Sequence, residues 1–218
     1  METNLNLVEK LILLSLDDAK GNLISNGPQF NTAIAGATIA ELILLDKLRV
    51  SDKRIKVSNT ISTGDKVLDY ALSQIRKSKK DKTLSHWVFT LTAKAPKTIE
   101  IYEQRFIDNK ILIRKESKVL WFFNKTDFPA KDSALENMFR AEMNQIVFER
   151  KPANQYHKLL TGLIEASDLN KEIYGKKLSK EIKNRIKEIY KSDELALLIH
   201  DKVQEAYNSY VAVMVAVM

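Results

Sequence analysis

Residues 29–45 read Gln-Phe-Asn-Thr-Ala-Ile-Ala-Gly-Ala-Thr-Ile-Ala-Glu-Leu-Ile-Leu-Leu, a stretch that predicts a helix with Ala33, Gly36, Ala37 and Ala40 along one stripe. Small side chains let a second helix approach closely, so the stripe predicts helix-on-helix packing rather than a ligand site. Working outward, Leu5, Val8, Leu11, Ile12 and Leu16 also fall at helical spacing, and they read as an amphipathic helix ending near Asp18. Gly21 and Gly27-Pro28 break the chain before the next element. On the other side, Leu48 to Val50 and Ile55 to Val57 alternate around the polar turn 51–54, which predicts a short hairpin.

The remaining chain is read mostly as helix. Thr63-Gly64-Asp65 caps a helix over 65–76; as a phosphate loop it is weak, because a glycine-rich nest and a following Lys-Ser/Thr are missing. Leu84, Trp87, Val88 and Leu91 make a helical stripe with Trp87 in the core, and Pro96 separates it from a helix over 97–109. Further helices are predicted after Ser133 to about Glu149, over 156–168, over 179–190, and from Asp193 onward. Between them, Ile111 to Ile113 and Val119 to Phe123 flank the polar residues 114–118 and predict a second hairpin. Two strands cannot bury both faces alone. Its aromatic residues therefore pack on the helices or form an edge for self-association, with Ile111, Ile113, Trp121, Phe122 and Phe123 as the oligomerisation candidates. The fold class expected is all-α, in a single domain over 1–218.

The chain has 218 residues, of which 44% are hydrophobic and 29% charged, with six Gly and four Pro; this excludes two large domains, disorder and collagen-like repeats. No cysteine is present, which rules out disulfides, thiol catalysis and Cys-ligated metals, and fits a reducing compartment such as the cytoplasm. Glu2, Glu9 and Asp17-Asp18 argue against a secretory signal. The apolar run 210–218 would reach about 13 Å as a helix and cannot cross a hydrocarbon core of about 30 Å.

Thirty-five Lys and Arg against 28 Asp and Glu give +7, so an anionic partner is expected. Two segments concentrate the charge. Arg76 to Lys82 contains Lys77, Lys79 and Lys80 and reads as a solvated basic loop or mobile linker. Residues 171–191 hold eight basic and three acidic residues, with Lys176, Lys180, Lys183 and Lys187 spaced to share a helix face.

Nothing supports catalysis. His86, His157 and His200 are far apart and lack metal-ligand spacing; the latter two read as surface histidines on helices. Asp17-Asp18 is a helix-end pair, and neither a nucleophile elbow nor a dinucleotide fingerprint occurs. No enzyme activity, metal or cofactor is expected.

The order of motifs resembles the Golgi phosphoprotein three family across nearly the whole chain. The resemblance is carried by Leu11-Ile12-Leu13-Leu14-Ser15-Leu16-Asp17-Asp18 with Lys20-Gly21, by Gly36 with Ala40-Glu41-Leu42, and by Thr63-Gly64-Asp65 with Leu68-Asp69 and Ala71-Leu72. Trp87, then Asp108-Asn109-Lys110-Ile111-Leu112, then Leu159-Leu160 with Leu163-Ile164 and Ala166-Ser167-Asp168-Leu169 complete it. The resemblance implies a four-helix bundle core wrapped by amphipathic helices, with a protruding β-hairpin that mediates oligomerisation in relatives. It also implies phosphoinositide binding in eukaryotic members. The counterparts of that family's lipid contacts here are Asn26, Ala35, Pro96 and Ile99, none of them a Trp or a basic residue. Lys94 and Lys97, one or two residues away, are the compensating candidates. The basic N-terminal tail of eukaryotic members is absent, which points to a prokaryotic branch.

The expected function is a non-enzymatic, peripherally membrane-associated protein docking on anionic lipid through Lys94, Lys97, Lys77, Lys79 and Lys80, with protein clients and a homo-oligomeric state. Surface charge, more than head-group identity, is expected to govern that docking. The alternative is a nucleic-acid-binding or regulatory helical domain. It is disfavoured because the basic residues are dispersed and no recognition helix is identifiable.

Overall fold

The stripe in residues 29–45 becomes the seam of the structure. A computed structural model of the chain describes residues 5–16, 23, 27–112, 115–119, 123–127 and 134–217, the two strand segments between 115 and 127 by their backbone. Here α2 (Pro28–Leu44) buries Ala33, Ala37 and Ala40 and packs against α4 (Leu84–Thr92), α7 (Gln155–Ala166) and α10 (Glu194–Val217). The last also packs on α4 and α7, so these four helices form the bundle. Gly36 faces α10: a Cβ built there would collide with Val203 Cγ2. Ten helices make the described chain mainly α, as expected.

Helix α1 (Leu7–Leu14) differs from the amphipathic reading. Leu7, Val8, Glu9 and all four residues Leu11 to Leu14 are buried, because α2, α7 and α6 (Ala134–Phe148) pack around it. Its one charged residue in that set, Glu9, is satisfied by the Asn6 amide in a reciprocal capping box at 3.0 Å and by Arg105. Lys10, half-buried, lies over the rings of Phe139 and Tyr156 at 4.6 and 4.4 Å, and burial lowers its pKa although Glu142 and Glu41 oppose the shift.

The outer helices are amphipathic. In α3 (Lys66–Arg76), Val67, Leu68, Ala71, Leu72 and Ile75 face inward. Then α5 (Ala95–Asp108) buries Ile99, Tyr102 and Phe106, and α9 (Lys180–Lys191) buries Ile186, Ile189 and Tyr190 while exposing Lys180, Lys183 and Lys187. Lys176 belongs to the loop after the short α8 (Asn170–Tyr174), an element the periodicity did not reveal, and so does not share the α9 face.

Two antiparallel ribbons complete the fold. Strands β1 (Leu48–Ser51) and β2 (Arg54–Val57) pair as predicted, joined by Asp52 and Lys53 at φ 52° and 62°, the left-handed pair that a two-residue hairpin turn requires. The second hairpin is displaced from its predicted position. Its strands are β3 (Lys115–Val119) and β4 (Phe123–Asp127), with Val119 opposite Phe123, so the polar stretch read as a turn is a strand. A free two-stranded ribbon has no obligatory apolar face, and hydrophobicity therefore does not fix its register. Ile111 precedes the ribbon: its N–H donates to the Phe106 carbonyl at 2.8 Å beyond the end of α5, and its side chain packs against the core. Ile113, Trp121, Phe122 and the Phe123 side chain lie outside the described residues, as do Asp17, Asp18, Lys20, Gly21, Asn26 and Ser133.

Candidate functional site

The first turns of α3 and α5 border one surface cleft. Lys66 opens α3 immediately after its N-cap, Asp65, whose carboxylate accepts from the Val67 and Leu68 amides at 2.8 and 3.1 Å. Lys94 is the N-cap of α5, and Lys97 follows one turn on. The three lysines surround a cleft of about 340 Å³ with an apolar floor from Val67, Tyr70 and Ile101. Beneath it, a space of about 10 Å³ is closed by Ile34 and Ala35 of α2, enough for about one water. Lys97 Nζ pairs with Glu100 at 2.7 Å, but both side chains are about two-thirds exposed, so the pair holds Lys97 weakly. The ammonium groups of Lys66 and Lys94 make no hydrogen bond or ion pair within the described structure. The N-terminus of α5, which has no side-chain cap, adds its partial positive charge to the field of the lysines, whereas that of α3 is taken by the Asp65 carboxylate.

The sequence-derived candidates separate here. Lys94 and Lys97 share the cleft, while Ala35 lines only the small space beneath it. Pro96 is exposed on the first turn of α5, while Ile99 is buried and gives the cleft nothing. Lys77, Lys79 and Lys80 follow the opposite end of α3, about 16 Å away along an 11-residue helix. Their loop is tethered rather than a mobile linker: the Ile55 N–H donates to the Lys82 carbonyl at 2.8 Å and Arg54 Nη1 to the Asp81 carbonyl at 2.7 Å. Beside it, Arg49, Lys56, Arg76 and Asp81 line a separate open hollow of about 480 Å³. Lys66 escaped the sequence reading because its proximity to α5 arises from tertiary packing; its only signal was its place after a capping Asp.

Cap residue Asp65 has a second role. Arg105 Nη1 lies 2.7 Å from Asp65 and 3.1 Å from Glu9, joining α1, α3 and α5, and Tyr102 stacks under its guanidinium at 4.8 Å. Nearby Glu41 accepts from the Leu7 amide at 2.8 Å, with a pKa raised by burial. These carboxylates have partners, so the cluster acts as a brace behind the cleft.

The histidines are partnered as well. His200 is not the surface residue expected: its ring stacks on Tyr190 at 4.4 Å and bonds Glu165 and Asp201 at 2.5 and 2.9 Å. Burial pushes its pKa down, but those two carboxylates outweigh it and hold it above the ordinary value. His157 meets Glu142 at 2.8 Å and receives the Asn154 amide, again a half-buried partner. Among the described residues no group of three or more His, Asp or Glu is arranged to hold a metal ion, and no helix is long and apolar enough to cross a membrane.

Fold and cleft together define a mainly helical domain with a cationic, apolar-floored groove on its surface. The model of one family, Golgi phosphoprotein 3 (GPP34), matches residues 7–210. The chain belongs to that family.

Proposed function

We propose that this protein is a non-enzymatic peripheral membrane protein that docks on anionic lipid head groups through the cleft of Lys66, Lys94 and Lys97. The observation carrying the reading is the convergence of three cationic side chains, two of them unpaired, over an apolar floor. The head group's phosphate meets the lysines, and the floor accepts the apolar shoulder of the lipid. Membership in the Golgi phosphoprotein 3 family supports a lipid-binding or adaptor role of this kind. Docking from the cytoplasm, protein clients, and a homo-oligomer built through the ribbon β3–β4 belong to the same proposal.

Each lysine near an anionic surface contributes about 1 kcal/mol. Lys94→Gln with Lys97→Gln should therefore weaken binding to phosphatidylserine-containing vesicles about tenfold to thirtyfold at low salt, read by flotation. Neutralising Lys77, Lys79 and Lys80 together should weaken it less for each charge removed. Equal loss per charge in the two variants would show that the cleft has no special role. A basic surface also fits nucleic acid, so a DNA shift at the same salt is the companion measurement; tighter binding there overturns the reading.

A further inference from the structure

The last helix runs past the body it packs on. Its buried seam consists of Ala196, Ile199, Val203 and Ala206, and stops there. From Val211 to Ala216 six consecutive residues are exposed. Six residues cover more than one and a half turns, so every side of the helix has exposed residues there. Val213, Met214 and Val215 are 53, 49 and 68% exposed. No charged residue occurs between Glu205 and Val217. The hydroxyl of Ser209 is satisfied within the helix by the Glu205 carbonyl at 2.9 Å, and Tyr207 and Tyr210, both half-buried, stand at the root of the projecting segment.

Two occupants can cover such an end: a second copy or a lipid bilayer. The area decides between them. Residues 211–217 form a cylinder about 10 Å long and, with the water radius included, about 13 Å wide, or roughly 400 Å² of accessible wall; two rods touch along only one side of each, so two such ends bury well under about 800 Å² together. A stable protein interface needs about 1,200 Å² or more. A bilayer, by contrast, solvates an apolar rod on all sides without a complementary surface, takes amphipathic elements to a depth of about 5–10 Å, and favours Tyr at its boundary.

We propose that the projecting end of α10, residues 211–217, is a membrane-inserting anchor that enters the interfacial zone of a lipid bilayer up to the Tyr207 and Tyr210 collar. This rests on the peripheral-membrane reading above but assigns a different surface. Gln204 of α10 and Gln29 of α2 both donate to the Ala166 carbonyl, at 3.0 and 2.9 Å, which ties the root of this segment to the start of α2 and the end of α7.

The chain has no cysteine, so Val213→Cys supplies a single thiol for an environment-sensitive fluorophore on otherwise unaltered protein. With vesicles of phosphatidylcholine and phosphatidylserine the emission should shift to the blue, and vesicles with brominated acyl chains should quench it. Val211→Asp with Val215→Asp should lower vesicle binding about tenfold, equivalent to about 1.4 kcal/mol, with thermal unfolding of the bundle unchanged. A probe that stays in water while the protein floats with vesicles overturns the anchor and leaves the cleft reading standing. A blue shift that follows protein concentration without lipid shows that a second copy covers the end, and also overturns it. Failure of the unlabelled protein to bind vesicles at all removes both proposals.

Discussion

At Gly36 the requirement is space rather than backbone freedom. Its position inside α2 is helical, and a methyl group there would collide with Cγ2 of Val203, a fully buried β-branched residue with little room to turn. Gly36→Ala gains about 1 kcal/mol of helix propensity but meets overpacking of about 1–3 kcal/mol, and the clash should win with a net loss of up to about 2 kcal/mol in urea unfolding. Val203→Ala in the same chain should recover part of that loss, because the two residues share one contact. Additive losses in the double variant would place the cost elsewhere. This residue was legible in the sequence as part of a small-residue stripe, and so was the capping role of Asp65. What one-dimensional spacing could not show is that Arg105 reaches back to Asp65 and Glu9, 40 and 96 residues earlier. Lys66 was missed on the same ground, since no local pattern marks which helix ends meet.

The elements repeat that division. Helices with a clear inward face and a recognisable cap, such as α3 and α9, start and stop within about a residue of their predicted bounds. Helix α1 was found but misread, because eight residues nearly all apolar do not distinguish a buried helix from a one-faced one. The ribbon β3–β4 was displaced for the opposite reason: its strands are polar, and the hydrophobic residues on which the prediction relied lie largely between and before them. That arrangement bears on assembly. Trp121 and Phe122 fall in sequence between the paired ends Val119 and Phe123. On the proposed oligomerisation through this ribbon, Trp121→Ser with Phe122→Ser should reduce the mass measured by light scattering to that of one chain, with the thermal midpoint nearly unchanged. A parent protein already monomeric at tens of micromolar would remove the ribbon from the proposal.

For the whole molecule, the +7 charge is distributed rather than focused. Three lysines rim the cleft, Lys77, Lys79 and Lys80 stand at the other end of α3, and Lys180, Lys183 and Lys187 line the open face of α9. The apolar end of α10 carries no charged side chain. These contributions respond differently to salt. Attraction between exposed lysines and a lipid surface is screened within about 10 Å at 0.1 M, whereas insertion of Val213 and its neighbours depends on apolar burial and is not screened. Vesicle binding should therefore fall as salt rises and then level off, and the plateau should vanish in the Val211→Asp with Val215→Asp variant. Head-group choice follows from the same chemistry. The cleft offers ammonium groups, compact point charges without the planar fork by which guanidinium reads phosphate, so charge density governs over stereochemistry. Vesicles matched in surface charge should accordingly bind within tenfold of one another whether the charge comes from phosphatidylserine or phosphatidylinositol 4-phosphate. A larger preference, more than about 1.4 kcal/mol, that disappears in the Lys94→Gln with Lys97→Gln variant would instead make the cleft a selective head-group site.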